Sequence, residues 1–381
     1  MHIFFINIFK IILRAIYAVL KIFPLKKTKI LFLSRQADTP SIDFSLIQKE
    51  LKTTNNEVDI VNICCRVNKD IAGYSVFFWN ILRSMYHLAT VRICVLDSYW
   101  PPVSILKHKQ DLTVIQIWHS IGKIKKSGYQ TLNKPGGRNE KFSKALCMHQ
   151  NYDIIIAGAK VWNPYYCESF GVTEDKLYNY GLPRINFLIN NKDMNKEKIY
   201  ARYPEFKNKK VICYAPTFRR NAEVKYNDLI SKVDFKKYIL IIKKHPNDKT
   251  ILRDKNIYTC DEFQPLEILT ICDYLITDYS AIAIEGALLN IKTFYYVYDY
   301  EKYIEDNNIN IDLLKEMPDC VFKDARELVE KIESGGYNFK AFSEYKKKYL
   351  PDKKGNSAKM IADLIIKKLY STNIKQSMME Q

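Results

Sequence analysis

The feature that most narrows what this chain can become is a rhythm of short, almost wholly apolar runs with helical stretches between them, and the series occurs twice. KILFLS (29–34), VDIVNI (58–63), VRICVL (91–96), LTVIQIW (112–118) and YDIIIAG (152–158) make the first set. VICYA (211–215), YILIIKK (238–244), DYLITD (273–278) and TFYYVYD (293–299) make the second. Runs that stay apolar, rather than alternating with polar residues, belong to strands covered on both faces, as in parallel sheets. Segments 41–52, 75–89 and 160–170, then 226–232, 264–271, 280–289 and 325–333, carry helical spacing. Strand and helix in alternation predict a doubly wound α/β sheet, and two sets separated near 185–208 predict two Rossmann-like domains. The expected division is residues 1–28, then 29–185, then 186–350, with terminal helices in 351–381.

Residues 2–23 read HIFFINIFKIILRAIYAVLKIF and are followed by PLKKTK. Lys10, Arg14 and Lys21 interrupt the apolar run, and no small-residue cleavage site follows it. At about 100° per residue, Asn7, Lys10, Arg14 and Lys21 share a narrow face. Such a helix suits a membrane interface, with cations at the headgroups and Lys26, Lys27 and Lys29 reinforcing them. The plainer alternative is a helix packed on the protein's own surface.

The formal charge of +17 asks for a negative partner. No zinc-finger spacing, aromatic RNA-binding strand or basic arm favours nucleic acid, so anionic lipid and phosphorylated ligands are the better match. Nine cysteines without a C-x-x-C, several of them inside strand-like runs, fit buried free thiols in a reducing compartment.

Ligands of open α/β sheets bind beyond the carboxyl ends of the strands, and four polar groupings fall there. Trp118-His119-Ser120 leaves the run LTVIQI and continues as IGKIKKSG. His119 suits a general base there, and equally a structural histidine bonded to a backbone carbonyl. YAPTFRR (214–220) presents Arg219 and Arg220, either as phosphate-binding forks or as solvated surface arginines. Lys243-Lys244-His245-Pro246 places a histidine among cations, where it can stay protonated or donate to a phosphate. Thr277-Asp278-Tyr279-Ser280 precedes the helical run AIAIEGALL, offering hydroxyls and free amides to an anion or simply a helix cap. Glu285 within that run can reach ribose hydroxyls or face solvent. No P-loop, G-x-G-x-x-G or metal-ligand cluster is present, which argues against kinases and dehydrogenases.

Read in order, WHSIGKIKKSG (118–128), GLPR (181–184), YAPTFR (214–219), KKHP (243–246) and TDYSAIAIEGALLNIKTFYYVYDYEKY (277–303) resemble the CDP-glycerol glycerophosphotransferases, which build wall teichoic acids and some capsules. The resemblance implies a GT-B-like α/β enzyme in which two Rossmann-like domains face a central cleft. The donor, CDP-glycerol or CDP-ribitol, would sit on the C-terminal domain. The acceptor, an undecaprenyl-type lipid-linked glycan, would approach from the N-terminal one. His119 and His245 map to the family's catalytic pair, with His119 taking the acceptor's proton. The implied donor contacts are Thr217, Arg219, Lys244, Thr277, Asp278, Ser280 and Glu285. The implied acceptor contacts are Trp118, Ser120, Lys123, Lys126 and Arg184. No metal or other cofactor is expected, and the place of action is the cytoplasmic face of the membrane, bound peripherally.

Two positions depart from the family pattern: Ser120 stands where glycine is common, and Asn186 where the Gly-x-Pro-Arg-x-Asp pattern has its acid. The lack of a long N-terminal extension leads to the expectation of a primase, with a short polymerase as the alternative. Two rivals share much of the pattern: a GT-B glycosyltransferase using a nucleotide sugar, and a catalytically silent membrane-associated binding protein. A nucleic-acid-binding protein has only net charge in its favour.

Overall fold

The computed structural model describes residues 2–67, 70–219, 223–351 and 355–371. The first sheet contains β1 (Lys26–Ser34), β2 (Asp59–Cys64), β3 (Val91–Leu96), β4 (Thr113–Gln116), β5 (Ile154–Ile156) and β6 (Leu177–Tyr178), in the spatial order β2-β1-β3-β4-β5-β6. The second contains β7 (Lys210–Tyr214), β8 (Tyr238–Ile242), β9 (Ile257–Tyr258), β10 (Tyr274–Thr277), β11 (Lys292–Tyr296) and β12 (Val321–Phe322), in the order β12-β11-β10-β7-β8-β9. Every pairing in both sheets is parallel. The long apolar runs therefore become central strands with both faces covered; Ile30 to Leu33, Ile93 to Leu96 and Leu240 to Ile241 are fully buried.

Each sheet reverses direction of growth once. In the first sheet the chain moves from β1 out to β2, then returns across β1 to β3, so the switch lies between β1 and β3. In the second it lies between β7 and β10. Crevices beyond the strand ends at such points are where this class of sheet holds ligands.

Helices start where the sequence supplies a cap. Ser41 accepts a hydrogen bond from the Phe44 amide to begin α2 (Ile42–Thr54), and Asp70 accepts from Gly73 to begin α3 (Ile71–Thr90). The helix Ser357–Tyr370 does not stand apart with the C-terminal half. It packs on α2, β1 and β3, burying Ile361, Ala362, Ile365 and Leu369 completely. Residues 372–381, grouped with it in the sequence reading, lie outside the described residues.

Several links join the halves. Arg184, just past the first sheet, contacts Asp43 of α2 and Glu285 of the helix Ile282–Leu288. Trp162 Nε1 donates to the Tyr349 carbonyl at 3.2 Å. Asn310 reaches from the second half to the Lys123 carbonyl at 2.7 Å, and Lys125 forms an isolated antiparallel bridge with Ile309.

The first helix, α1 (His2–Leu20), is apolar on nearly all sides. It buries Leu13 and Tyr17 but leaves Phe4, Phe5, Ile11, Ile12 and Val19 exposed. Its span Ile3–Leu20 has mean hydropathy 2.1, apolar and long enough to cross a bilayer. The interrupting cations argue against a clean span, whereas length and hydropathy permit one. Arg14, one of the interrupting cations, reaches back to the Ile105 carbonyl at 3.4 Å, so the cationic stripe is partly spent on the protein itself. Tyr17 meets His108 Nδ1 at 2.9 Å on the same side. Beside α1, α3 exposes Tyr74, Val76, Phe78 and Trp79, and Phe9 lies 6.3 Å from Phe78, centroid to centroid.

Candidate active site

A cleft of about 1020 Å³ opens between the carboxyl ends of the two sheets. Its N-terminal wall is built by three consecutive strand ends. Gln36 follows β1, Asp97 follows β3, and His119 follows β4, so the switch of the first sheet delivers all three to one place.

His119 Nδ1 lies 2.9 Å from the Asp97 carbonyl. A carbonyl can only accept, so this contact puts the proton on Nδ1 and leaves Nε2 with its lone pair. The two readings of His119 thus coincide in one geometry, because the backbone bond that would mark a structural histidine also fixes the tautomer a base needs. Burial, then the charges of Arg184 and the nearby lysines, push its pKa down to about 4, the Asp97 carbonyl opposing them, so the ring is neutral at pH 7. The Gln36 amide lies 3.3 Å from the same nitrogen. The Asp97 carboxyl is itself buried, accepts from Ser34 Oγ at 2.9 Å, and is pushed up to about 7 by burial.

Trp118 adopts a left-handed backbone (φ 58°), a conformation that costs an ordinary residue about 1–3 kcal/mol. The Gln116 side chain holds it by accepting from the Trp118 amide at 2.8 Å, and the indole lies 4.2 Å from the His119 ring. The sharp turn is what swings His119 out of line with β4 and into the cleft. Behind it, the Lys123 ammonium sits 4.9 Å from the Trp118 and Phe170 ring centroids and 5.3 Å from that of Tyr166. It donates to Ser127 Oγ at 2.5 Å, and burial pushes its pKa down to about 7.

The C-terminal wall comes from the loops after β7, β8 and β10. His245 follows β8, stacks on Phe218 at 5.5 Å, and accepts at Nδ1 from the Asn247 amide at 3.1 Å. Its neutral form therefore carries the proton on Nε2 and can donate. Burial, Lys125 and Arg66 together push its pKa down to about 4. Of the two expectations for this residue, a protonated ring or a hydrogen-bond donor, the geometry fits the neutral donor, because the neighbouring cations raise the cost of a further charge. Arg66 of the first half bonds the Asn247 side chain at 2.9 Å, another tie across the cleft.

Arg219 also departs from its expected role. Its guanidinium meets Asp299 at 2.6 Å and Asp278 at 3.0 Å, and Nη1 donates to the Thr217 carbonyl. Burial opposes its charge, but the carboxylates of Asp278 and Asp299 more than offset that and hold it charged. The stacked Tyr279 and Tyr303 rings, 3.7 Å apart, complete its enclosure. The fork is occupied by protein, so Arg219 braces the loops after β7, β10 and β11 while only bordering the cleft. Arg220 lies outside the described residues.

The remaining expected residues divide in the same way. Trp118, Ser120, Lys123, Lys126, Arg184, Thr217, Ser280 and Glu285 line the cleft with both histidines. Thr277, Asp278 and Lys244 do not. Thr277 is fully buried and donates to the Ala215 carbonyl at 2.8 Å, Asp278 accepts from the Thr217 and Tyr279 amides, and Lys244 turns to the Thr250 carbonyl. Glu285 neither faces solvent nor stands free for a ribose, since it is 5% exposed and paired with Arg184 at 3.3 Å. The Thr217 hydroxyl, by contrast, is buried at the cleft wall with no partner, an open place for a ligand oxygen.

Sequence reasoning missed Gln36, Asp97, Lys125 and Asp299. Asp97 and Gln36 each follow a strand that the sequence does reveal, but only the strand order makes those strands neighbours of the switch. Lys125 lies inside a quoted motif and was passed over for its neighbours. Among the described residues no group of three His, Cys, Asp or Glu side chains is placed to hold a metal ion.

Comparison with known proteins bears on the family and the fold. The family model for CDP-glycerol:poly(glycerophosphate) glycerophosphotransferase matches residues 15–367. A teichoic acid ribitol-phosphate primase of Bacillus spizizenii is 28% identical over 357 residues, covering 90% of this chain and 92% of that protein. The teichoic acid poly(ribitol-phosphate) polymerase of the same species is also 28% identical, over 366 residues, but the match spans only 58% of its length. Among solved structures, the wall teichoic acid polymerase TagF superimposes with a TM-score of 0.72 at 18% identity, over 97% of both chains. A UDP-GlcNAc 2-epimerase of Methanocaldococcus jannaschii shares the architecture at a TM-score of 0.55 and 14% identity, over 90% of this chain and 99% of that one.

Proposed function

Because this chain belongs to the CDP-glycerol:poly(glycerophosphate) glycerophosphotransferase family, we propose that it moves a polyol phosphate from a CDP-activated donor to a hydroxyl of a lipid-linked glycan in teichoic acid synthesis. The acceptor oxygen bonds to the phosphorus next to the polyol, the bridging P–O bond breaks, and CMP leaves with the electron pair. His119 Nε2 takes the hydroxyl proton. His245 Nε2–H and the Thr217 hydroxyl donate to phosphate oxygens, and the Ser280 hydroxyl lies at the same wall. Phosphoryl transfer depends mainly on positioning and charge stabilisation, which neutral, tautomer-fixed histidines on two rigid sheets supply.

The observation that carries this reading is the pair of histidines in one cleft, one fixed as an acceptor at Nε2 and the other as a donor. The two relatives at 28% identity are both ribitol-phosphate enzymes, so CDP-ribitol is the donor to test beside CDP-glycerol. We place the boundary between acceptor and donor halves near residue 185, and assign the exposed apolar faces of α1 and α3 to a cytoplasmic membrane surface where a lipid-linked acceptor lies.

The test is calorimetry of the full-length protein in detergent with CDP-glycerol, CDP-ribitol, CMP, UDP-glucose and CMP-sialic acid, followed by CMP release with a lipid-linked acceptor analogue. A preference for one CDP-polyol, and CMP release lost by about a hundredfold or more in His119→Ala, is the expected result. Preference for a nucleotide sugar would move the assignment to a glycosyltransferase, which the epimerase-like architecture would equally accommodate. A folded protein that binds no nucleotide would leave a silent binding protein.

A further inference from the structure

Most cations at the cleft are already matched. Arg184 has Asp43 and Glu285, Arg219 has Asp278 and Asp299, and Lys302 has Asp306. Lys123 has Ser127 and its aromatic walls. Among the described residues, Lys125 and Lys126 line the cleft with no hydrogen-bond or carboxylate partner at the ammonium. Of the two, Lys125 is the one whose backbone bridges to Ile309 of the second half, and its charge acts across the cleft on His245, Asp278 and Arg219.

Its position is not left to chance. The Lys125 backbone bridges to Ile309, the Asn310 side chain donates to the carbonyls of Lys123 at 2.7 Å and Lys125 at 3.3 Å, and the Lys126 amide donates to Asn308. A strap from the second half thus holds a loop of the first half so that one lysine overhangs the opposite wall. A cation kept partly out of water without a counter-charge is unfavourable, and an arriving anion relieves that cost.

We propose that Lys125 is the clamp for the donor's diphosphate, its ammonium meeting the non-bridging oxygens of a nucleoside diphosphate ester from the acceptor side of the cleft. The assignment rests on the functional reading above and adds to it. The group that grips the donor's charge comes from the N-terminal half, whereas the arginine of the YAPTFR motif is spent on internal bracing. It also makes donor binding depend on the 308–310 strap staying in place.

The test compares wild type, Lys125→Met and Lys125→Arg by calorimetry against the preferred CDP-polyol, CMP and cytidine, with a thermal melt of each protein. Lys125→Met is expected to weaken the CDP-polyol by about tenfold or more, the scale of one charge-assisted hydrogen bond, to weaken CMP less, and to leave cytidine unchanged. Lys125→Arg keeps the charge and is expected to stay within about threefold of wild type. If wild type binds the CDP-polyol and Lys125→Met binds it within twofold, the Lys125 assignment falls and the functional reading stands. Equal losses for cytidine and CDP-polyol would overturn it too, since they would mean a displaced loop rather than a missing charge. A wild type indifferent to CDP-polyols would overturn the functional reading itself.

Discussion

Arg219 ends a motif that reads as a phosphate-binding fork, yet the N–H groups of its guanidinium already meet two carboxylates and a carbonyl. The residue type was legible and its partner was not, because Asp299 lies 80 positions away and only the pairing of β10 with β11 brings it near. Removing one member of such a buried group strands the others' charge, which costs about 3–5 kcal/mol. Arg219→Ala should therefore lower the urea midpoint of the folded protein, and any fall in donor affinity should accompany that loss. A variant that binds donor poorly at undiminished stability would instead return Arg219 to direct contact with the donor. The histidines show the reverse case. Their presence at strand ends could be read from sequence, while the tautomer of each depends on a backbone partner, the Asp97 carbonyl or the Asn247 amide, that the sequence does not announce.

At the scale of elements, the buried strands were legible because a parallel strand covered on both faces has no polar positions to hide. Edge strands β6, β9 and β12 are two residues long and half-buried, so no apolar run marks them. Helix ends drifted only slightly where a cap such as Ser41 was present. The membrane-facing role of α1 is the element-level claim most open to test. Phe5, Ile8 and Ile12 are exposed, whereas Leu13 and Tyr17 are the residues of this helix that are buried in the core. Ile8→Glu with Ile12→Glu should leave the thermal melt within a few degrees of wild type and cut sedimentation with anionic vesicles by about tenfold or more, since each apolar side chain withdrawn from the interface is worth about 1.5–3 kcal/mol. Undiminished sedimentation would mean that the helix packs against protein instead.

For the molecule as a whole, acid should be more damaging than its carboxylates alone would make it. Burial holds His119 and His245 to about 4, His87 to about 4 and His149 to about 3, all below the ordinary 6.5. Between those values and 6.5 the unfolded chain binds more protons than the folded one, so stability present above pH 6.5 is lost as pH falls toward 4. Asp97, raised to about 7, works in the opposite direction, because its folded form takes up a proton first. His108 is lowered as well, and Asp153 and Glu285 are raised with Asp97; the five histidines outnumber the three carboxyls, so the urea midpoint should fall between pH 7 and pH 5. A flat midpoint across that interval would mean the histidines are open to water and titrate normally.

The last helix has a consequence in time rather than in energy. The face that α2, β1 and β3 offer to it is made before it, and Ser357–Tyr370 arrives roughly three hundred residues later, ~15–60 s at elongation rates of 5–20 residues per second. The C-terminal half can close its own sheet first, while the first half waits on the ribosome with the flank of α2, β1 and β3 uncovered. That flank stays open until the helix is released, and an early encounter with a chaperone would shelter it in the meantime.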